Sequence, residues 1–307
     1  MSRILVTGSN GQVGFELQRS LAGMGEVFAV DVDRMDLTDP ESIRRVLREI
    51  APDLIVNPAA YTAVDQAESQ PELALAVNGT APGIVAEEAK RVGAVLIHYS
   101  TDYVFDGTKA APYTEDDEPC PMSVYGRTKL AGDRAIQAVD APHLILRTSW
   151  VYGARGKNFM LTILRLARER DELKIVDDQV GAPTWSRAIA RATADILKRL
   201  GYGQEGFANA CAERRGVYNL TGAGQTSWHG FTAAILENAR SLRPIDPALA
   251  VDRVPVLKPI PTEQYPTPAR RPRNSVLSHA KLERVFGVQM PDWETSLTEC
   301  MRGDTRM

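Results

Sequence analysis

The 307-residue chain is predicted to fold as an α/β protein, a doubly wound parallel sheet with helices on both faces and a smaller, irregular α/β lobe toward the C-terminus. Three observations carry that expectation. Short apolar runs alternate with helical stretches through the first half; three glycines stand directly between the first run and the first helix; a proline-rich stretch breaks the pattern late in the chain. Strands buried on both faces read as continuous apolar runs, and these do.

Taken in order, the strands are expected at 4–7, 27–30, 54–57, 95–100 and 144–148. Helical patterns lie between them at 14–22, 41–49, 71–91 and 125–138. Asp39-Pro40-Glu41 supplies a capping residue, a first-turn proline and early negative charge, so the second helix begins there. A further strand at 217–220 and a helix at 188–199 are expected to return to the main sheet. The stretch 254–273 carries many of the 19 prolines and is expected to be extended or looped. The division read from this is a dinucleotide-binding unit at 1–155, to which 186–230 returns, and a substrate lobe from 156–185 and 231–307.

Composition narrows the function. Hydrophobic residues make up 44% and charged residues 24%, with a net charge of -3, so no whole-molecule basic field draws the chain to nucleic acid or acidic membranes. Cys120, Cys211 and Cys300 lie far apart with no metal-ligand spacing, as expected of reduced thiols in the cytoplasm. No apolar run approaches the roughly 20 residues of a membrane helix, and the first run is too short for a signal peptide.

Gly8, Gly11 and Gly14 are spaced three and three after the first strand. Glycine is needed there so that a pyrophosphate can approach the N–H groups at the helix N-terminus, the arrangement of a Rossmann-type nucleotide site. Asp31 ends the second strand, where an acid bonds the adenosine ribose hydroxyls and repels a 2′-phosphate, favouring NADH. Arg34 close by suits the 2′-phosphate of NADPH, so both cofactors stay open.

Tyr125 and Lys129 are four residues apart on a predicted helix and emerge on one face. A phenol with pKa near 10 is a poor acid-base group at neutral pH, and a neighbouring ammonium lowers it. Lys129 can also bond the nicotinamide ribose. Ser100-Thr101-Asp102 closes the fourth strand at the end where ligands bind in open α/β sheets. Thr101 is there to donate to a substrate carbonyl, with Asp102 beside it on the substrate side.

These residues, with Asn57-Pro58-Ala59-Ala60-Tyr61, Ser100 through Phe105, Arg147 through Tyr152, Asp178 through Thr184 and Pro266 through Pro272, make the chain resemble the extended short-chain dehydrogenases nearly end to end. Within them it is similar to the reductases of dTDP-linked keto sugars. The resemblance implies NADPH- or NADH-dependent reduction of the 4-keto group of dTDP-4-dehydro-L-rhamnose to dTDP-L-rhamnose. In that scheme Tyr125 protonates the oxygen, Lys129 tunes the phenol and Thr101 polarises the carbonyl. It also implies Gln12 and Val13 in the glycine loop, Asp36, Leu37, Ala59, Ala60 and Tyr61 along the cofactor, and Trp150 against the sugar.

A diphosphate needs cationic donors, for which Arg271 is the first candidate with Arg270 and Arg273 beside it; Asn158 is another diphosphate candidate. Some relatives bridge two subunits with Mg2+ held by glutamates. Glu16 and Glu294 match two such positions, but Arg187 stands where a third is expected, which argues against a metal-bridged homodimer. Related dehydratases carry a glutamate after the threonine-aspartate pair; Tyr103 stands here, so dehydration is not expected. Two rivals remain: a reductase or epimerase of another nucleotide sugar, and a non-catalytic regulatory subunit that keeps the cofactor fold.

Overall fold

A computed structural model of the chain describes residues 2–241 and 254–303. Of the expected substrate lobe, 242–253 and 304–307 therefore lie outside the described residues. Six parallel strands form the central sheet: β1 (Arg3–Val6), β2 (Glu26–Ala29), β3 (Leu54–Asn57), β4 (Val95–Thr101), β5 (His143–Thr148) and Gly216–Asn219. Their spatial order runs Gly216–Asn219, β5, β4, β3, β1, β2. The order reverses at β1 and β3, and a crevice opens outside the carboxyl ends of strands at such a switch point.

Alternation along the strands divides the core in two. Ile4, Val6, Leu54, Val56, Val95, Ile97, Leu144 and Leu146 face one side and pack with Leu17, Leu21, Ile189 and Ile196. Leu5, Ile55, Leu96, Ile145 and Val217 face the other, against Ile43, Leu47, Val85, Ala89 and Ile136. Successive side chains of a strand point to opposite faces, so a sheet with apolar residues at every position must be covered twice. Helix α1 (Gln12–Leu21) and the helix Ser186–Arg199 cover the first face; α2 (Pro40–Ile50), Ala81–Val92 and Val124–Ala138 cover the second. Asp39 caps α2 as expected, its carboxylate accepting from Glu41 N at 2.9 Å.

The expected single helix at 71–91 is instead three pieces. Pro71–Leu75 and Ala81–Val92 are α-helical and Ala76–Thr80 between them is a π-helical turn. Pro82 has no N–H to give the ladder, and the wide turn ahead of it re-aims Asn78. Asn78 then brackets the backbone of Tyr61, accepting from its N–H at 2.9 Å and donating to its carbonyl at 3.0 Å.

The proline-rich stretch also holds more order than its composition suggests. Val256–Ile260 pairs in parallel with Glu172–Val176, and Pro259 is tolerated because this two-stranded ribbon bonds on one side only. With the helices Phe159–Glu169 and Trp228–Ser241 this ribbon walls the space beyond the sheet's carboxyl edge. Among the described residues no helix is long and apolar enough to cross a membrane.

Candidate active site

A cleft of about 770 Å³ runs along the carboxyl ends of β1 to β5, lined by the glycine loop at one end and by Thr101, Tyr125, Lys129 and Trp150 at the other. At the loop, Gly8 has φ +55°, and a Cβ on it would lie 3.0 Å from the Ala59 backbone. A Cβ on Gly14 would come within 2.1 Å of the Gly8 carbonyl oxygen. The chain therefore folds as tightly as a side-chain-free backbone permits. Gly11 caps α1 without any side-chain acceptor, leaving the first-turn N–H groups of Gln12 and Val13 to face the cleft, where an anion would sit. These residues fit the pyrophosphate of a dinucleotide.

Asp31 lies at the same end, its carboxylate accepting from Asn10 N at 2.8 Å and Val32 N at 2.9 Å. Asp36, Leu37, Ala59 and Ala60 line the cleft as expected. Arg34 does not; it pairs with Glu49 at 3.2 Å. Tyr61 donates its hydroxyl to Gln70 Oε1 at 2.8 Å, and its backbone is clamped by Asn78.

At the reacting end, Ser123 caps the helix Val124–Ala138 by accepting from Gly126 N at 3.1 Å, which sets the first turn and the aim of Tyr125. A Cβ at Gly126 would lie 2.2 Å from the Tyr103 carbonyl oxygen, so glycine lets the helix press against the end of β4. Tyr103 meets the Tyr125 ring edge-on at 5.5 Å. Desolvation pushes the Tyr125 hydroxyl well above the ordinary phenol value, against the hydrogen bond of Thr101. The lowering expected from Lys129 is not what this arrangement holds. Lys129 Nζ, almost wholly buried, donates to the Tyr99 carbonyl at 2.6 Å and lies 3.2 Å from His98 Nε2. Burial brings Lys129 down to about 8, with Asp133 pulling the other way.

Thr101 is held in place by accepting from Tyr103 N at 3.1 Å and donating to Asp102 Oδ1 at 3.0 Å. Asp102 is 2% exposed, and burial pushes its carboxyl up to about 7. Besides Thr101, the Ser275 side chain hydrogen-bonds this carboxylate.

Trp150 has φ +45°, a conformation rare for a bulky residue, and its ring stacks on Trp228 with centroids 3.5 Å apart. Gly181 lies beneath it, where a Cβ would come within 2.5 Å of the indole. Strain at a cleft residue persists only where its surroundings fix it, and here a stacked ring and a glycine floor do so. Trp228, which no sequence spacing pointed to, continues the wall into a second cavity of about 750 Å³. Tyr103 lines both cavities, and Arg271 lines the second.

Arg271 forks onto Asp65, with Nη2 to Oδ2 at 2.8 Å and Nη1 to Oδ1 at 3.1 Å, which holds the proline-rich loop across the crevice. Arg273 pairs with Glu263 at 3.2 Å. Asn158 is engaged within the chain. It caps Phe159–Glu169 through Leu161 N at 3.0 Å, and its amide donates to Gln12 Oε1 at 2.9 Å and the Gly153 carbonyl at 2.8 Å. Both ends of the side chain are spent and it lines neither cavity.

The residues do not fit a bridging magnesium ion. Arg187 Nε donates to Glu16 Oε2 at 3.0 Å, placing a cation of the chain itself on the glutamate that a metal would need. Glu294 is exposed on another helix, and no cluster of three acidic, histidine or cysteine ligands occurs among the described residues. Chelation with EDTA is therefore expected to leave the melting temperature unchanged. A fall of several degrees, restored by Mg2+, would contradict this reading.

The chain matches the family described as RmlD substrate binding domain over residues 1–305. It is 51% identical over 306 residues to a dTDP-4-dehydrorhamnose reductase of Burkholderia thailandensis, covering 98% of each chain. It is 45% identical to the reductase of that name from Escherichia coli, over 96% of this chain and 95% of the relative. The crystal structure of the Bacillus anthracis dTDP-4-dehydrorhamnose reductase in complex with NADP superposes with a TM-score of 0.84, at 33% identity, over 98% of this chain and 99% of that one.

Proposed function

Since the chain belongs to the RmlD substrate binding domain family, and within it to the dTDP-4-dehydrorhamnose reductases, we propose that it reduces the 4-keto group of dTDP-4-dehydro-L-rhamnose to dTDP-L-rhamnose. The observation that carries this reading is the single cleft. The glycine loop, Thr101, Tyr125, Lys129 and the strained Trp150 share it, and none of the catalytic set is replaced.

A nicotinamide cofactor would lie along Gly8 to Gly14, Asp31, Asp36, Leu37, Ala59 and Ala60, and would supply the hydride. The chain's own residues do the rest. Thr101, on turning its hydroxyl from Asp102, and Tyr125 offer donors to the keto oxygen, and Tyr125, kept protonated by desolvation, gives its proton as negative charge develops there. Trp150 and Trp228 form the flat wall on which the sugar rests, and the nucleoside diphosphate extends into the second cavity past Tyr103 and Arg271. Most of that cavity's lining comes from 156–185 and the lobe after 231, with Tyr103 and Trp228 added from the rest of the chain, which supports assigning substrate recognition chiefly to them. Three free cysteines, two of them buried, support a cytoplasmic setting.

The test is nicotinamide oxidation followed at 340 nm with dTDP-4-dehydro-L-rhamnose, run with NADH and with NADPH. Turnover is expected. Turnover only with another nucleotide sugar would move the assignment to that substrate, and cofactor binding without turnover of any would leave a regulatory protein.

A further inference from the structure

Beneath the cleft lies a buried row of polar side chains that the catalytic scheme leaves unused. The Ala59 N–H faces Thr7 Oγ1 at 3.3 Å, and Thr7 Oγ1 donates to Asn57 Oδ1 at 2.6 Å. Asn57 Nδ2 meets His98 Nδ1 at 3.1 Å, and His98 Nε2 meets Lys129 Nζ at 3.2 Å. Thr7, Asn57, His98 and Lys129 are each no more than 2% exposed. Solvent therefore offers them no alternative partners, and the polarity of each bond constrains the next.

That polarity can be followed from one end. Asn57 Oδ1 takes the threonine proton, so the amide presents its nitrogen to the histidine. An amide nitrogen has protons to give and no lone pair to receive one. His98 Nδ1 must then be the bare nitrogen, and a neutral ring carries its one proton on Nε2. His98 is neutral, because burial and the nearby Lys129 hold it well below the usual imidazole range. The Nε2–H points at Lys129 Nζ. An ammonium cannot accept it, whereas an amine can.

We propose that Thr7, Asn57 and His98 form a directional hydrogen-bond chain in which His98 is a positioning residue for the amine form of Lys129, donating to it and stabilising it after it has given a proton toward Tyr125. This rests on the assignment of Tyr125 and Lys129 above. The proton count closes: hydride and the Tyr125 proton convert the keto group to a hydroxyl, Lys129 ammonium returns a proton to the phenolate, and solvent later restores the lysine. Asn57 and His98 lose nothing in the cycle; they accommodate the amine.

The groups that face Lys129 are few. On its own helix is Asp133, which favours the ammonium, and Tyr125 stands one turn earlier on that helix. From β4 come His98 and the Tyr99 carbonyl. From β5, Arg147 Nε lies 3.8 Å from Asp133 Oδ2 and blunts its pull. Lys129 descends to about 8 under burial, with Asp133 opposing, which suits a group that must both hold and release a proton near neutrality.

Two measurements test this. In the ¹⁵N-histidine-labelled full chain, long-range ¹H–¹⁵N spectra at pH 7 should show His98 as the Nε2–H tautomer, assigned by its disappearance in His98→Gln. An Nδ1–H tautomer would overturn the proposal whether or not the enzyme turns over. Second, Asn57→Asp offers His98 only acceptors, so Nδ1 takes the proton and Nε2 becomes an acceptor for an ammonium. The alkaline limb of the kcat–pH profile should then move up by about one pH unit or more, the scale of one charge-assisted hydrogen bond. An unmoved limb in a variant that still turns over would make the row a packing feature only. Failure of the wild-type chain to turn over the sugar strikes the reductase reading instead, and the tautomer still decides this one.

Discussion

Tyr125→Phe is expected to lower kcat by roughly 10²–10⁴-fold, the range for loss of a general acid, while cofactor affinity stays nearly unchanged. The substitution removes one hydroxyl and keeps the ring that packs beside Ala67, Ala74, Val124 and Tyr61 and meets Tyr103 edge-on. Folding should therefore survive. What disappears is the phenol proton that the proposed scheme gives to the keto oxygen. Because desolvation raises the phenol, wild-type Tyr125 stays protonated through the neutral range, and any alkaline loss of rate from this group should lie above it. Single-turnover absorbance at 340 nm reads the chemical step, and quenching of intrinsic fluorescence reads cofactor binding. A variant that loses both together would show that the phenol holds the cleft rather than serving the reaction.

Much of this was legible in the sequence because it rests on local pattern. The sheet strands announced themselves as fully apolar runs, and the glycine spacing, Thr101, Tyr125 and Lys129 fall where strand ends and one helix face must bring them. What stayed hidden depends on partners distant along the chain. Asn57 and His98 fall in strings that carry the family resemblance, but no role followed from that; only the register that sets Asn57 beside His98 joins them. Asp133 looked like an ordinary helix position, yet it is buried between Lys129 and Arg147 and accepts from Ser100 Oγ at 2.7 Å. Trp228 finds Trp150 only through the folding of the lobe. Asn158 is ambiguous for a physical reason: a residue type suited to phosphate is equally suited to capping a helix, and here it caps one. The π-helical turn at 76–80 has no periodic signature, because it follows from a proline and from the clamp on Tyr61.

Gly14→Ala should be nearly as damaging as loss of the phenol, through binding rather than chemistry. Its Cβ would stand 2.1 Å from the Gly8 carbonyl oxygen, 2.8 Å from the Gly8 carbonyl carbon and 3.1 Å from Ser9 Cα. All three are backbone atoms, so no side-chain rotation relieves the overlap. Ala59 stands behind Gly8, where an added Cβ would lie 3.0 Å from its backbone, so Gly8 has little room to retreat on that side. The loop must open, and the first-turn N–H groups of Gln12 and Val13 move off the pyrophosphate position. Alanine gains roughly 0.5–1 kcal/mol over glycine as a helix residue, while forced overpacking costs about 1–3 kcal/mol, so the fold loses modestly. Binding loses more, since anion capture needs several N–H groups converging at once. The cofactor Kd is expected to rise about 100-fold, roughly 2.7 kcal/mol, with a drop of a few degrees in melting temperature. Gly23→Ala is the matched control: a Cβ there meets nothing within 4 Å, and its binding should equal that of wild type. Were Gly14→Ala to bind the cofactor as tightly as Gly23→Ala, the glycine loop could not be the pyrophosphate site, and the cofactor would have to be placed elsewhere along the cleft.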